Sequence, residues 1–344
     1  MSKVFKLFHG NIKFVHNKSQ IFLLKSIIKE NKKYIIYRIP NCRVFTNTIH
    51  DTAYLKENKI IKNISFQIRN NVNANIKQNI VLNNGTPKIL KKFNGSVMSL
   101  LTGGAGNNNY WHWMYDSLSR LGLLENNLSL KDFNYFLVPD KKYKFQIETL
   151  KLLGIEKKSI SSKKYKHIFA NNLTATNHPW QHSQSAHRDI ENVPKWISLW
   201  LREKFLKFKS NKKFYKKIYI DRSDSKFSDR KIINEDKIKK LLIKKKFKIL
   251  KLSNFSFVEQ IAIFNSAKII VGNHGAGFTN LIFCKKKTTV IEFKDRNTAK
   301  VIKKISKDLD LNYKSILGRR IGKDKQNQNN NIEVSLFKLN NLIS

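Results

Sequence analysis

At 344 residues with 41% hydrophobic side chains, the chain is long enough to build two cores and too apolar to stay disordered. Its formal charge of +43 is spread with Asn and Ile along the whole length, mainly on lysines, so it reads as compositional bias and not as the gathered basic stripe of a nucleic-acid-binding protein. Two cysteines far apart without metal-ligand spacing, Cys42 and Cys284, indicate neither a disulfide framework nor a zinc site; they fit a reducing, cytoplasmic setting in which the lysine excess gives a salt-sensitive attraction to anionic membrane head groups.

The early apolar run, residues 21–28, is interrupted by Lys25 and is too short to span a bilayer. Residues 34–39 and 44–46 have strand character, and the Asn-rich stretch 70–84 reads as a loop. A flexible lead, Gly103-Gly104-Ala105-Gly106-Asn107-Asn108-Asn109, then opens a helix on which His112, Asp116 and Arg120 stand four apart and share one face. An imidazole beside a carboxylate is a proton-handling pair, since the carboxylate fixes the tautomer and supports the charged ring. The same spacing also suits a structural helix in which Asp116 pairs with Arg120. A strand at 135–138, a helix at 145–153, a strand near 168–174 and a Trp- and Lys-bearing helix at 194–208 follow, with a lysine-rich linker at 207–213.

From residue 216 onward the pattern alternates strand and helix. A strand at 218–220 leads to a helix opened by Asn234 with Ile238, Leu241 and Leu242 at helical spacing. A strand at 247–252 precedes a capping box, Ser256 with Glu259, and a helix striped by Phe257, Ile261 and Phe264. Then come a strand at 269–271, a small-residue turn with a short apolar helix, a strand through Val290 closed by Glu292, a helix at 298–309 and a last strand at 313–317. Repeated strand–helix units with short connections make a parallel, doubly wound sheet, on which ligands bind at the carboxyl ends of strands. Asp221, Arg222, His274 and Glu292 fall at such ends.

In the turn, Gly272, Gly275, Ala276 and Gly277 let backbone N–H groups approach an anion, and His274 stands where it can touch a diphosphate. Glu292 is placed for ribose hydroxyls. Glycines in such a corner also serve simply to turn the chain. Arg222 and Arg230 stand out among lysines, and their planar forks suit phosphate oxygens, although Arg222 could equally pair with Asp221 or Asp224. Asp308-Leu309-Asp310 has a metal-binding look, but at a helix end without a further acidic ligand it reads as a solvated face.

Taken in order, three segments resemble glycosyltransferase family 61, the capsular-polysaccharide-biosynthesis type, whose eukaryotic relatives transfer xylose or N-acetylglucosamine. They are Asn109-Tyr110-Trp111-His112-Trp113-Met114-Tyr115-Asp116 with Ser119-Arg120-Leu121; Tyr219-Ile220-Asp221-Arg222 with Arg230 and Asn234-Glu235; and Ser256-Phe257-Val258-Glu259-Gln260 through His274-Gly275-Ala276-Gly277-Phe278-Thr279-Asn280 to Val290-Ile291-Glu292. Asp221 departs from the small residue common before the arginine. The resemblance implies an α/β, GT-B-like fold of two Rossmann-like domains facing across a cleft: an acceptor-side domain over 1–206, a nucleotide-sugar-binding domain over 214–320 and a tail over 321–344. It further implies inverting transfer from a nucleotide sugar, usually a UDP-sugar, to a glycan or lipid-linked acceptor, with no metal or other cofactor required and no nucleic-acid partner. In that reading Arg222, His274 and the backbone of Gly275, Ala276 and Gly277 hold the diphosphate, with Arg230, Thr279 and Asn280 beside them, while Glu292 meets the ribose. Asp116 is the first choice for the base that deprotonates the acceptor, with His112 as its orienting partner or substitute. The competing readings are a basic nucleic-acid-binding protein on an α/β scaffold and a catalytically inactive nucleotide-sugar-binding module.

Overall fold

The computed structural model describes residues 9–10, 13–14, 22–46, 51–69, 72–73, 76–101, 108–125, 127–183, 185–212, 214–225, 230–322 and 330–344. The chain divides into two units, Met1–Ile190 and Glu191–Ser344.

In the first unit, β1 (Phe22–Lys29) and β2 (Lys32–Phe45) form an antiparallel hairpin. Its turn residues Glu30 and Asn31 both have positive φ, 48° and 61°, the left-handed pair that matches a two-residue turn to strand twist. Glu57 and Asn58 repeat the device, at 49° and 60°, between β3 (Asp51–Lys56) and the short strand Lys59–Ile60. Within the stretch read as an Asn-rich loop, Ile80–Asn84 is a short helix, because the Asn79 side chain accepts the Val81 N–H as its cap. After β4 (Lys91–Ser99) comes α1, three consecutive helical stretches, Tyr110–His112, Trp113–Leu118 and Ser119–Leu124, the middle one wound with a π pitch. The predicted lead Gly103 to Asn107 lies outside the described residues.

Next come β5 (Tyr135–Val138), α2 (Lys144–Leu152), β6 (Ser159–Ser161) and β7 (His167–Thr176). Strands β6, β5, β4 and β7 lie parallel in that order. On the far side of β7, β2 and then β3 add antiparallel strands. The α/β class holds, but this unit is a mixed sheet and not a second all-parallel domain of the expected kind, because tight hairpins stand where crossover helices would be needed. Tyr37, Ile39, Val44, Val97, Leu137, Ile168 and Leu173 form its core.

The second unit begins earlier than the sequence suggests. Helix α3 (Lys195–Leu206) belongs to it: Arg202 Nη1 donates to the carbonyls of Ile282 and Cys284 at 2.6 and 2.7 Å. The lysine-rich stretch expected as a linker is tied down as well, with Ser210 donating its N–H to the Val258 carbonyl at 3.1 Å. Five strands follow: β8 (Lys217–Asp221), β9 (Lys248–Lys251), β10 (Ile269–Asn273), β11 (Thr289–Lys294) and β12 (Asn312–Leu317). All run parallel, in the order β9-β8-β10-β11-β12. Helix α4 (Glu235–Lys244) joins β8 to β9, α5 (Phe257–Ser266) joins β9 to β10, and α6 (Val301–Asp308) joins β11 to β12. The strand order reverses between β8 and β10, and it is beyond the carboxyl ends of such a pair that an open parallel sheet leaves a crevice.

The capping box on α5 forms as read: Ser256 Oγ accepts the Glu259 N–H, and the Glu259 carboxylate accepts the Ser256 N–H at 3.0 Å. Asn234 precedes α4 but does not cap it. Its amide instead clamps Val334, donating to the carbonyl at 2.8 Å and accepting the N–H at 3.0 Å. The clamp leads into α7 (Leu336–Ile343), whose Leu339 and Ile343 join the core of Ile238, Val271, Ile291 and Phe293. Residues read as a tail therefore close the core, through an apolar pair spaced i, i+4. Among the described residues no helix is long and apolar enough to cross a membrane.

Candidate functional site

Arg222 and His274 are the first residues past β8 and β10, so the backbone alone delivers both to the reversal point. Arg222 Nη1 donates to the His274 carbonyl. Gly275 is required for that contact, since a Cβ there would lie 2.8 Å from Cζ and 2.9 Å from Nε of Arg222. The alternative pairing of Arg222 with Asp221 does not occur: Asp221 accepts the Ser223 N–H at 2.8 Å and the Lys239 ammonium at 3.0 Å. Burial works to raise the Asp221 carboxyl, but those two donors outweigh it and hold the group below its ordinary range. Arg230 shares the neighbourhood, where burial first and the Arg222 charge second bring its guanidinium down to about 10.

His274 is only 6% exposed, and its Nδ1 meets Oε1 of Glu292. The other oxygen of Glu292 accepts the Tyr313 hydroxyl. Glu292 has 0% exposure, so with both oxygens engaged inside the fold it does not offer the ribose contact expected of it. It fixes the ring instead: Nδ1 carries the proton and Nε2 is the nitrogen left for a ligand. Burial lowers the His274 pKa more than the Glu292 bond raises it, and the charges of Arg230 and Arg222 add to the lowering, which leaves the ring neutral at neutral pH. Tyr313 is pushed up, by burial and by the adjacent Glu292 charge.

The turn continues into a 3-10 helix, Ala276–Phe283. A Cβ on Gly277 would meet Leu252 Cδ1 at 3.1 Å and Ile220 Cγ2 at 3.3 Å, so this glycine permits close packing of the turn on β8. Thr279 and Asn280, expected beside the phosphates, are both fully buried. Asn280 Nδ2 donates to Gln260 Oε1 at 2.9 Å, which braces α5. The half-buried backbone of Gly275, Ala276 and Gly277 is what the turn presents outward, and the first N–H groups of a helix have no intrahelical partner.

The first unit holds the other predicted cluster. Asn109 Oδ1 accepts the Trp111 and His112 N–H groups at 2.9 and 3.4 Å and starts α1. His112 Nδ1 lies 2.8 Å from Asp116 Oδ2, as the shared face predicts. The second oxygen, Oδ1, accepts the Trp180 indole N–H at 2.6 Å, and His178 Nε2 stands 3.9 Å from Oδ2. Arg120 ignores the carboxylate: its Nε donates to the Asp116 carbonyl at 3.2 Å and its Nη1 to the Thr176 carbonyl at 2.8 Å. Burial brings that guanidinium down to about 10. The Asp116 side chain is 2% exposed and that of His112 is 23% exposed, so the imidazole is the member of the pair within reach of a substrate.

His178 and Trp180 escaped the sequence reading. Both lie just past the carboxyl end of β7, and the strand-end rule that singled out Arg222 finds them too. His178 Nδ1 accepts the Gln181 N–H at 3.0 Å, which puts the ring proton on Nε2, toward Asp116. Burial, then the charges of Arg120, His182 and His112, hold this ring neutral by pushing its pKa well down. Among the described residues no cluster of three His, Cys, Asp or Glu side chains is arranged for a metal. Asp308 and Asp310 are engaged by Lys304 and Lys287 at 2.5 and 2.6 Å.

The family model for Glycosyltransferase 61 matches residues 110–291, over half of the chain, from the first residue of α1 to the residue before Glu292. No curated protein matches the chain.

Proposed function

The chain belongs to glycosyltransferase family 61; from that premise we propose an inverting enzyme that moves a sugar from a UDP-sugar to a hydroxyl of a glycan or lipid-linked acceptor in surface polysaccharide synthesis. The observation that carries the donor side is the corner itself, where two guanidiniums and a His–Glu pair, backed by Tyr313, gather at the strand reversal of the second unit. A diphosphate suits it. The leaving group gains negative charge as the glycosidic bond to phosphate breaks, and Arg222, Arg230 and the N–H groups of the glycine turn are oriented before the reaction begins. They supply the electrostatics that a divalent cation would otherwise give.

On the acceptor side the roles expected of Asp116 and His112 are exchanged. Asp116, buried and doubly hydrogen-bonded, orients the ring; His112 Nε2 takes the proton of the attacking hydroxyl. The acceptor oxygen bonds the anomeric carbon from one face while the bond to the UDP oxygen breaks on the other, so the configuration inverts. The proposal includes the GT-B organisation, a cytoplasmic location and salt-sensitive contact with anionic lipid.

The test is calorimetric titration with UDP. Binding that is lost or strongly weakened in Arg222→Ala and His274→Ala supports the assignment, and undiminished affinity in both breaks it. Steeply salt-dependent binding to DNA or RNA without any UDP binding would favour the nucleic-acid reading instead. Activity lost in EDTA and restored by manganese would contradict metal independence.

A further inference from the structure

Three charged groups act on the His274 ring, Glu292 from β11, Arg222 from the end of β8, and Arg230, while Tyr313 from β12 holds the far oxygen of Glu292. With the ring neutral, two guanidiniums and one carboxylate leave a single net positive charge. A nucleotide-sugar diphosphate carries two negative charges, and a protonated ring would match it. The geometry also decides where a second proton goes. Glu292 is sealed from solvent and held as an acceptor by the Tyr313 hydroxyl, so Nδ1 keeps its hydrogen and Nε2 is the open position.

We propose that capture of the diphosphate is coupled to uptake of one proton by His274, with Glu292 and Tyr313 as the positioning residues that direct this proton to Nε2. The inference rests on the donor-binding reading above. Burial first, and then the charges of Arg230 and Arg222, oppose a positive charge on the ring, which agrees with its lowered pKa. A bound diphosphate reverses the sign of that field. The proton comes from solvent on binding, becomes a hydrogen bond from Nε2 to a phosphate oxygen, and returns to solvent when UDP leaves. No bond of the donor is broken by this step. Donor affinity is therefore greatest at low pH and falls as pH rises from the pKa of the free ring toward that of the bound ring.

The experiment is titration calorimetry of the full chain with UDP at about pH 7.5, above the second phosphate pKa of about 6, in one buffer of small and one of large ionisation enthalpy. The expected heats differ by the amount that corresponds to uptake of close to one proton, and Kd weakens by up to about tenfold per pH unit across the window. His274→Gln keeps a polar side chain that cannot titrate, and its UDP binding should be weaker, without proton uptake and flat with pH. A proton taken up by UDP itself would persist in that variant and would overturn the assignment. Tyr313→Phe leaves one oxygen of Glu292 buried without its donor, so the proton count should drop and the affinity fall about tenfold. A merely structural tyrosine would lower Tm and leave the count unchanged. Equal heats in both buffers and a pH-independent Kd for the wild-type chain overturn the inference while the donor site stands. Absence of UDP binding at every pH overturns the donor reading and the inference with it.

Discussion

Each unit contains a histidine whose Nδ1 is held by a carboxylate, and each carboxylate is backed by a second donor: the buried Trp180 behind Asp116 in the first unit, the half-buried Tyr313 behind Glu292 in the second. The difference lies in the arginines. Arg120 is spent on main-chain carbonyls and its Nη1 points at the end of β7, whereas Arg222 and Arg230 act directly on His274. One pair thus has a partly exposed ring and a carboxylate beside a single buried guanidinium that is bonded to main-chain carbonyls, which suits taking a proton from an alcohol. The other is embedded in positive charge, which suits gripping an anion. On the proposed reading, the same two side-chain types acquire opposite duties from what surrounds them.

The sharpest way to break this comparison is a cross of two variants with two readouts. His112→Ala should lower the transfer rate by about 10²- to 10⁴-fold, the range of a lost general base, and leave UDP affinity unchanged by calorimetry. Arg222→Ala should do the reverse first: UDP affinity falls by about 10- to 100-fold, the range of a hydrogen bond to a charged group, as calorimetry would record. If His112→Ala weakens UDP binding as much as it slows transfer, the division of duties is wrong. Gly275→Ala is a gentler probe of the same corner. Its new methyl must push the Arg222 guanidinium away from a 2.8 Å approach, so UDP affinity should fall by about tenfold; Arg222→Ala/Gly275→Ala should be no worse than Arg222→Ala alone.

The second unit was largely legible in the sequence, because its strands are short apolar runs that alternate with helices of their own periodicity, and the strand ends that carry Arg222 and His274 follow from that alternation; the strand order came only with the structure. What was hidden depends on contacts between strands. Nothing local tells that Tyr313 reaches Glu292 from the neighbouring strand, or that both oxygens of Glu292 are taken. Asn234 sits where a cap is expected, yet a segment a hundred residues later claims its amide. The first unit was harder, since its hairpins turn on Glu30-Asn31 and Glu57-Asn58, pairs without the glycine that usually marks such turns. The His112–Asp116 contact was readable from helical spacing; which of the two lies buried was not, because Trp180 comes from a strand end sixty-four residues away.

The smallest expected effect is also the most specific to the first unit. Trp180→Phe removes one N–H and keeps most of the ring volume that packs edge-on against Trp111 at 5.4 Å and His178 at 5.0 Å. Asp116 Oδ1 then loses a 2.6 Å donor while 2% exposed, a loss in the range of about 1–3 kcal/mol when nothing replaces it. Here something partly does: His178 Nε2–H stands 3.9 Å from the other oxygen, and a small rotation of the carboxylate would bring it into range. The transfer rate should therefore fall by only about three- to tenfold, with UDP affinity unchanged. Trp180→Phe combined with His178→Phe should approach the Asp116→Asn rate, because the carboxylate then keeps only His112. Steady-state transfer by the three variants decides it: a double variant no slower than Trp180→Phe alone means that His178 does not stand in for the indole, and that Asp116 is held by His112 and packing.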